Sequence, residues 1–113
     1  MHELSLMEGV LGIVQDAHSR HGFRRVTRVT LEVGELAGAE TEALEFCWEV
    51  VAKGTVAESA LVVLVKVPAL AWCGACSAGV AVGGHADLCP VCGGVTGPVS
   101  QGLDLRVKSL EVD

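Results

Sequence analysis

Four of the five cysteines stand in two pairs of identical spacing, Cys73-x-x-Cys76 and Cys89-x-x-Cys92, with twelve residues between the pairs. A CxxC turn presents two thiolates to one ion. Two such turns complete a tetrahedron of the kind that Zn(II) accepts without redox chemistry. Gly74, Pro90, Gly93 and Gly94 suit tight knuckles in which backbone N–H groups approach the sulfurs. Four thiolates leave no open position for water, so a structural ion is expected rather than a catalytic one. The same all-sulfur geometry suits iron in a rubredoxin-like electron carrier, and spacing does not separate the two metals. His85, between the pairs, reads as a loop histidine, and the fifth cysteine, Cys47, as a packed core residue on a helical stripe.

A second set of candidate ligands lies at the amino terminus, Met1-His2-Glu3. The terminal amine, the amide nitrogens near His2 and Glu3 and the His2 imidazole are nitrogen donors that can lie in one plane. That arrangement suits Ni(II) or Cu(II) better than zinc. A histidine near a chain start is common, so the pattern by itself is a weak signal. His18 and His21 fall in the last turn of a predicted helix and read as solvated residues at the negative end of its dipole.

Charge narrows the function classes. Fourteen acidic residues oppose eight basic ones, a formal net charge of −6, and no Lys or Arg occurs from Ala69 to Pro98, where Asp87 is the sole carboxylate. A dication held by four thiolates adds a formal charge of about −2 there. Phosphate would be repelled, so a zinc-ribbon nucleic-acid-binding module is disfavoured, and a zinc-ribbon adaptor without nickel stands as the alternative. The longest uninterrupted apolar run is Ala60 to Val65, far short of the roughly 20 residues a membrane span needs. No basic segment precedes an apolar stretch at the start, and an odd cysteine count fits a disulfide framework poorly. A cytoplasmic protein without membrane contact is expected. No Ser/His/Asp order, phosphate loop or open metal triad points to an enzyme.

The elements that must position these residues follow from periodicity. Ser5 to His21 predicts an amphipathic helix with a Ser5/Glu8 capping box, a stripe of Leu6, Val10, Ile13 and Ala17 flanked by Met7 and Val14, and Gly22 closing it. Met1-His2-Glu3 is then expected to precede the helix and to be free to wrap an ion. Arg25 to Gly34 alternates as a half-buried strand, and Gly34 to Glu40 reads as a flexible loop. Thr41 is placed as the cap of a second helix ending near Lys53, with Leu44, Cys47, Trp48 and Val51 buried. Leu61 to Val67, apolar on both faces apart from Lys66, predicts a central strand. Period two returns at Leu103, Leu105 and Val107, and Leu110 and Val112 are out of phase, as a bulge near Lys108 or Ser109 would make them. The expected fold is α+β: two helices packed on a small three-stranded mixed sheet, in the order α-β-α-β-[zinc module]-β. Residues 1–68 with 99–113 form the α/β domain, and 69–98 the inserted four-cysteine, zinc-ribbon-like module.

The chain resembles the hydrogenase nickel-incorporation proteins, the HypA-type nickel metallochaperones. The likeness runs in order through Met1-His2-Glu3-Leu4-Ser5, Glu32-Val33-Gly34, Leu44-Glu45-Phe46, Gly54-Thr55-Val56-Ala57-Glu58, both cysteine pairs with Cys89-Pro90-Val91-Cys92-Gly93, and Leu110-Glu111-Val112. It implies a non-enzymatic carrier that delivers Ni(II) as cargo during [NiFe]-hydrogenase maturation. The implied nickel site comprises His2 foremost, then Met1 and Glu3, with Glu40 as a nearby acidic residue. The implied zinc site is Cys73, Cys76, Cys89 and Cys92. Partners implied are a nickel-handling GTPase and the hydrogenase large subunit, with urease maturation proteins as further contacts. Some members carry a histidine directly after a CxxC pair; Ser77 and Gly93 stand there, so the pH response such a histidine would give has no counterpart.

Overall fold

The computed structural model describes residues 2–113. The elements are α1 (Glu3–His21), β1 (Val26–Gly34), α2 (Thr41–Ala52), β2 (Leu61–Val67), β3 (Leu70–Cys73), β4 (Ala78–Ala81), β5 (Val99–Gln101) and β6 (Leu105–Val112). They form two three-stranded sheets, ordered β2-β1-β6 and β4-β3-β5. The chain divides into two compact units. One takes in residues up to Glu32, Ala39–Val65 and Arg106–Asp113, and the other Val33–Gly38 and Lys66–Leu105.

In the first unit α1 packs on α2. The helix α1 buries Glu3, Met7, Val10 and Val14, a stripe at 4-3-4 spacing turned from the expected one. Ile13 is 54% exposed. The helix also begins three residues earlier than the Ser5/Glu8 capping box requires. His2 is the N-cap residue, without a side-chain cap bond, and the Leu6 N–H donates to the His2 carbonyl at 2.9 Å. Ser5 is therefore inside the helix. Gly22 closes it as expected: at φ 68° it takes the left-handed conformation, and its N–H donates to the His18 carbonyl.

The helix α2 buries Leu44, Trp48 and Ala52, and its N-cap is Glu40 rather than Thr41. Cys47 is half-buried beside this stripe. Thr55 ends the helix. Its hydroxyl donates to the Ala52 carbonyl at 2.6 Å and accepts the Ala57 N–H at 3.1 Å, which turns the chain and buries Ala57 completely.

The β2-β1-β6 sheet is mixed. Arg24 N–H and Asp113 N–H tie the start of β1 to the chain end, and Gly34 N–H reaches Asp104, so β6 runs antiparallel to β1. Val26 N–H to Val56 and Glu35 N–H to Val67 place β2 parallel to it. The central strand is β1, with Val26, Val29, Leu31 and Val33 buried. The expectation that β2 is central fails: it is an edge, with Leu61 and Val65 exposed. An apolar run reports burial poorly when one edge is open, because nothing local marks the missing neighbour. In β6 the inward phase shifts between Val107 and Leu110, with Lys108 and Ser109 both exposed.

The second unit is the antiparallel sheet β4-β3-β5 with the cysteine knuckles. Its core is Ala69, Ala71, Cys73, Val80, Val82 and Cys89, with Leu36, Cys76 and Val99 partly buried against it. Leu36 corrects the expectation of a flexible loop after Gly34. Glu35 N–H donates to Val67 and Leu36 N–H to Gly102, so that stretch is fastened to the unit. A Cβ on Gly34 would overlap the Gly102 backbone, and one on Gly102 (φ 86°) would meet Ala69 Cα at 2.6 Å. Two backbones meet there, where only glycine leaves room.

Candidate metal centres

Two knuckle turns bring the cysteine sulfurs together. Cys73 ends β3, and the turn that follows returns to β4 with Ser77 at φ 52°. Across the unit, Cys89 N–H donates to the Gly94 carbonyl and Gly93 N–H, at φ 75°, to the Cys89 carbonyl. Cys73 Sγ lies 3.6 Å from Cys92 Sγ and Cys76 Sγ 3.9 Å from Cys89 Sγ, and all four ligand atoms lie within 4.8 Å of one another. A tetrahedral Zn–S distance of about 2.3 Å requires an S···S edge of roughly 3.8 Å. The cluster therefore has the size of one tetrahedral ion. Cys73 and Cys89 are buried, Cys76 half-buried and Cys92 exposed.

Backbone donors line the sulfurs, as the glycines of the knuckles predict. Cys76 N–H points at Cys73 Sγ, Val91 N–H at Cys89 Sγ and Gly94 N–H at Cys92 Sγ, each at 3.4 Å. The sulfurs are strongly unequal as acids. Hydrogen bonding to Cys73 is the main cause that pushes the Cys76 thiol up to about 12, whereas the Cys92 backbone N–H leads in bringing Cys89 down to about 7. Four thiolates crowded this closely need a cation to replace their protons, and a thiophilic dication does so. His85 takes no part: among the described residues the potential ligand group is the four cysteines. Asp87 is a brace, with its carboxylate accepting the Gly83 N–H at 2.8 Å and its carbonyl the Thr96 hydroxyl at 2.7 Å.

The amino-terminal candidates lie in the first unit. Met1 lies outside the described residues. His2 is exposed at the N-cap of α1, and Glu3, expected before the helix, is its first residue. The Glu3 side chain is 7% exposed and its Oε2 accepts the Glu40 N–H at 3.2 Å. Two of the four sequence candidates, 37 positions apart, thus meet where α1 and α2 begin. Glu3's own backbone N–H and that of Glu40 hold its carboxyl below the ordinary range. Two helix N-termini, each with positive dipole ends, converge on one carboxylate. Nothing in residue type or spacing announces this contact; only the packing of α1 on α2 creates it. His18 packs edge-on against Phe23, ring centroids 5.1 Å apart, in keeping with a surface role.

A helix pair on a mixed sheet, joined to a ribbon with a four-thiolate cluster, defines a small metal-binding protein of the α+β class. Comparison with known proteins sharpens this. The family model described as "Hydrogenase/urease nickel incorporation, metallochaperone, hypA" matches residues 1–112. The hydrogenase maturation factor HypA of Acidithiobacillus ferrooxidans is 48% identical over 113 residues, the whole of both chains. That of Azoarcus is 47% identical over 97% of this chain and 96% of its own. The solution structure of the Ni metallochaperone HypA from Helicobacter pylori superposes with a TM-score of 0.72 at 20% identity, covering 99% of this chain and 97% of that one, a likeness of fold. The chain belongs to the HypA family of hydrogenase/urease nickel-incorporation proteins.

Proposed function

We propose that this protein is a cytoplasmic nickel metallochaperone that carries Ni(II) as cargo for [NiFe]-hydrogenase maturation and performs no catalysis of its own. The reading rests on family membership over the full chain. The observation that carries the site is the Glu40 N–H bond to Glu3 Oε2, which gathers the ends of α1 and α2 beside His2. His2 supplies its imidazole, and Met1, His2 and Glu3 supply the terminal amine and backbone nitrogens. The Glu3 carboxylate is occupied as an acceptor, which leaves it the role of fixing the segment. Glu40, whose backbone N–H makes that bond, is the further acidic candidate.

The α/β domain (1–68 with 99–113) is read as the nickel domain and 69–98 as the zinc module. Zinc would supply the cross-link that holds the knuckles, with Cys73, Cys76, Cys89 and Cys92 as the residues that would hold it. Nickel at nitrogen donors and zinc at thiolates are kept apart by ligand softness. Delivery partners are a nickel-handling GTPase and the hydrogenase large subunit, with urease maturation proteins as further contacts.

Calorimetric titration of untagged protein with Ni(II) tests the assignment. His2→Ala should abolish tight nickel binding while zinc content and the circular dichroism spectrum persist. Unchanged nickel affinity would overturn it. One equivalent of iron and a red colour in the purified protein would replace zinc by a rubredoxin-like centre.

A further inference from the structure

Large apolar side chains surround the zinc module on the outside. Trp72, Leu88 and Val91 directly precede Cys73, Cys89 and Cys92. Thiols that converge on a common centre turn the preceding residues away from it, and these three are 54%, 61% and 76% exposed. Val95, the cross-strand partner of Leu88, is 83% exposed. Trp72 pairs with Gly79 on one side, and its carbonyl accepts the Gly97 N–H on the other, so the two backbone neighbours across the sheet are glycines with no side chain to cover the indole. The core beneath consists of alanines, valines and cysteines. An exposed apolar group of this kind marks an interaction surface.

Charge says what covers it. The second unit carries Lys66 as its sole lysine or arginine against Glu35, Asp87 and Asp104, and four thiolates around zinc add a formal charge of about −2. Nucleic acid is repelled, and so is a second copy of a chain of net charge −6. We propose that the zinc knuckles form a docking surface for a partner protein segment that presents aliphatic side chains among arginines or lysines. The aliphatic groups seat on Leu88, Val91 and Val95, and a guanidinium lies over the open Trp72 ring, where cation–π attraction adds to the field of the thiolates. The proposal rests on the reading that the cysteines hold zinc.

Trp72 and Trp48 are the two tryptophans, and Trp48 is buried at 3% exposure, so a shift in emission on binding reports Trp72. The full chain, with zinc quantified on the same sample, is titrated at physiological ionic strength with a short peptide alternating arginine and leucine. A peptide with glutamate for arginine is the control. The arginine peptide should shift Trp72 emission to the blue in a saturable way, and the glutamate peptide should not. Leu88→Ser/Val95→Ser should weaken binding at least about tenfold, as loss of a central apolar contact does, with zinc content unchanged. Equal response to both peptides, or undiminished binding by the double variant, would overturn the surface. A blue shift with protein concentration alone, matched by a dimer in sedimentation, would make a second copy the occupant and overturn it too. Less than one zinc per chain would overturn the zinc reading and the surface with it.

Discussion

Glu3 joins two helix starts through one carboxylate, and its protonation is therefore linked to stability. Its pKa is lowered in the folded chain from an ordinary value of 4.5. A carboxyl whose folded pKa is depressed contributes stability that is fully present above its unfolded pKa and is lost as pH falls through the folded one. Glu3→Gln should lower the melting temperature at pH 7, and the difference from the wild type should shrink on acidification below about pH 4. Thermal melts at stepped pH check this, and a pH-independent difference would deny the linkage. Among the cysteines, Cys89 is brought down to about 7 and Cys76 pushed up to about 12. Zinc uptake must then expel protons, more of them as pH falls from 8 towards 6, with affinity declining in step. Calorimetry in buffers of different ionisation enthalpy measures both.

Elements end where backbone groups find partners. At the exit of α2, Thr55 accepts one backbone N–H and donates to one carbonyl. Thr55→Val keeps the shape and removes both bonds, and should cost about 1–3 kcal/mol by two partly buried hydrogen bonds. Urea denaturation checks this. The contact of Gly34 with Gly102 is less forgiving. Gly102→Ala combines a positive φ of 86° with a Cβ at 2.6 Å from Ala69 Cα and should destabilise by more than about 1 kcal/mol, since backbone must move. Loss of zinc retention or of soluble yield would register it, while the helical signal reports the first unit separately.

On the scale of the whole molecule, the two units draw stability from different sources. The first buries Met7, Val14, Val26, Val29, Leu31 and Leu44 to within 2% exposure, each contributing about 1.5–3 kcal/mol. The second has a core of small residues and thiols. Removal of metal with a strong chelator is expected to melt the second unit and spare the helices of the first, as far-UV circular dichroism and proteolysis of the 69–98 segment would reveal. Simultaneous loss of the helical signal would show that the metal stabilises both. No helix of the described residues is long and apolar enough to cross a membrane.

The thiolate cluster was legible because it depends on local chemistry. A CxxC turn is short enough for spacing to specify its geometry, and two of them repeat it. The existence of both helices and of β1, β2 and β6 was legible for the same reason, since periodicity and Gly22 act within a few residues of where they are written, whereas β3, β4 and β5 are too short to show a period. The edge position of β2, the rotated stripe of α1 and the early helix start were not. Each depends on what packs alongside: β1 rather than β2 received neighbours on both sides, and Glu3 found the Glu40 N–H and drew the helix back to the chain start. Residue types and spacing thus determined that this chain could hold one ion among four sulfurs and offer nitrogen donors at its beginning. Tertiary structure decided that His2, Glu3 and Glu40 share one place and that Trp72, Leu88, Val91 and Val95 face outward. Contacts between distant residues form only when buried surface outweighs the entropy of closing the loops between them, and no stretch of sequence records that balance locally.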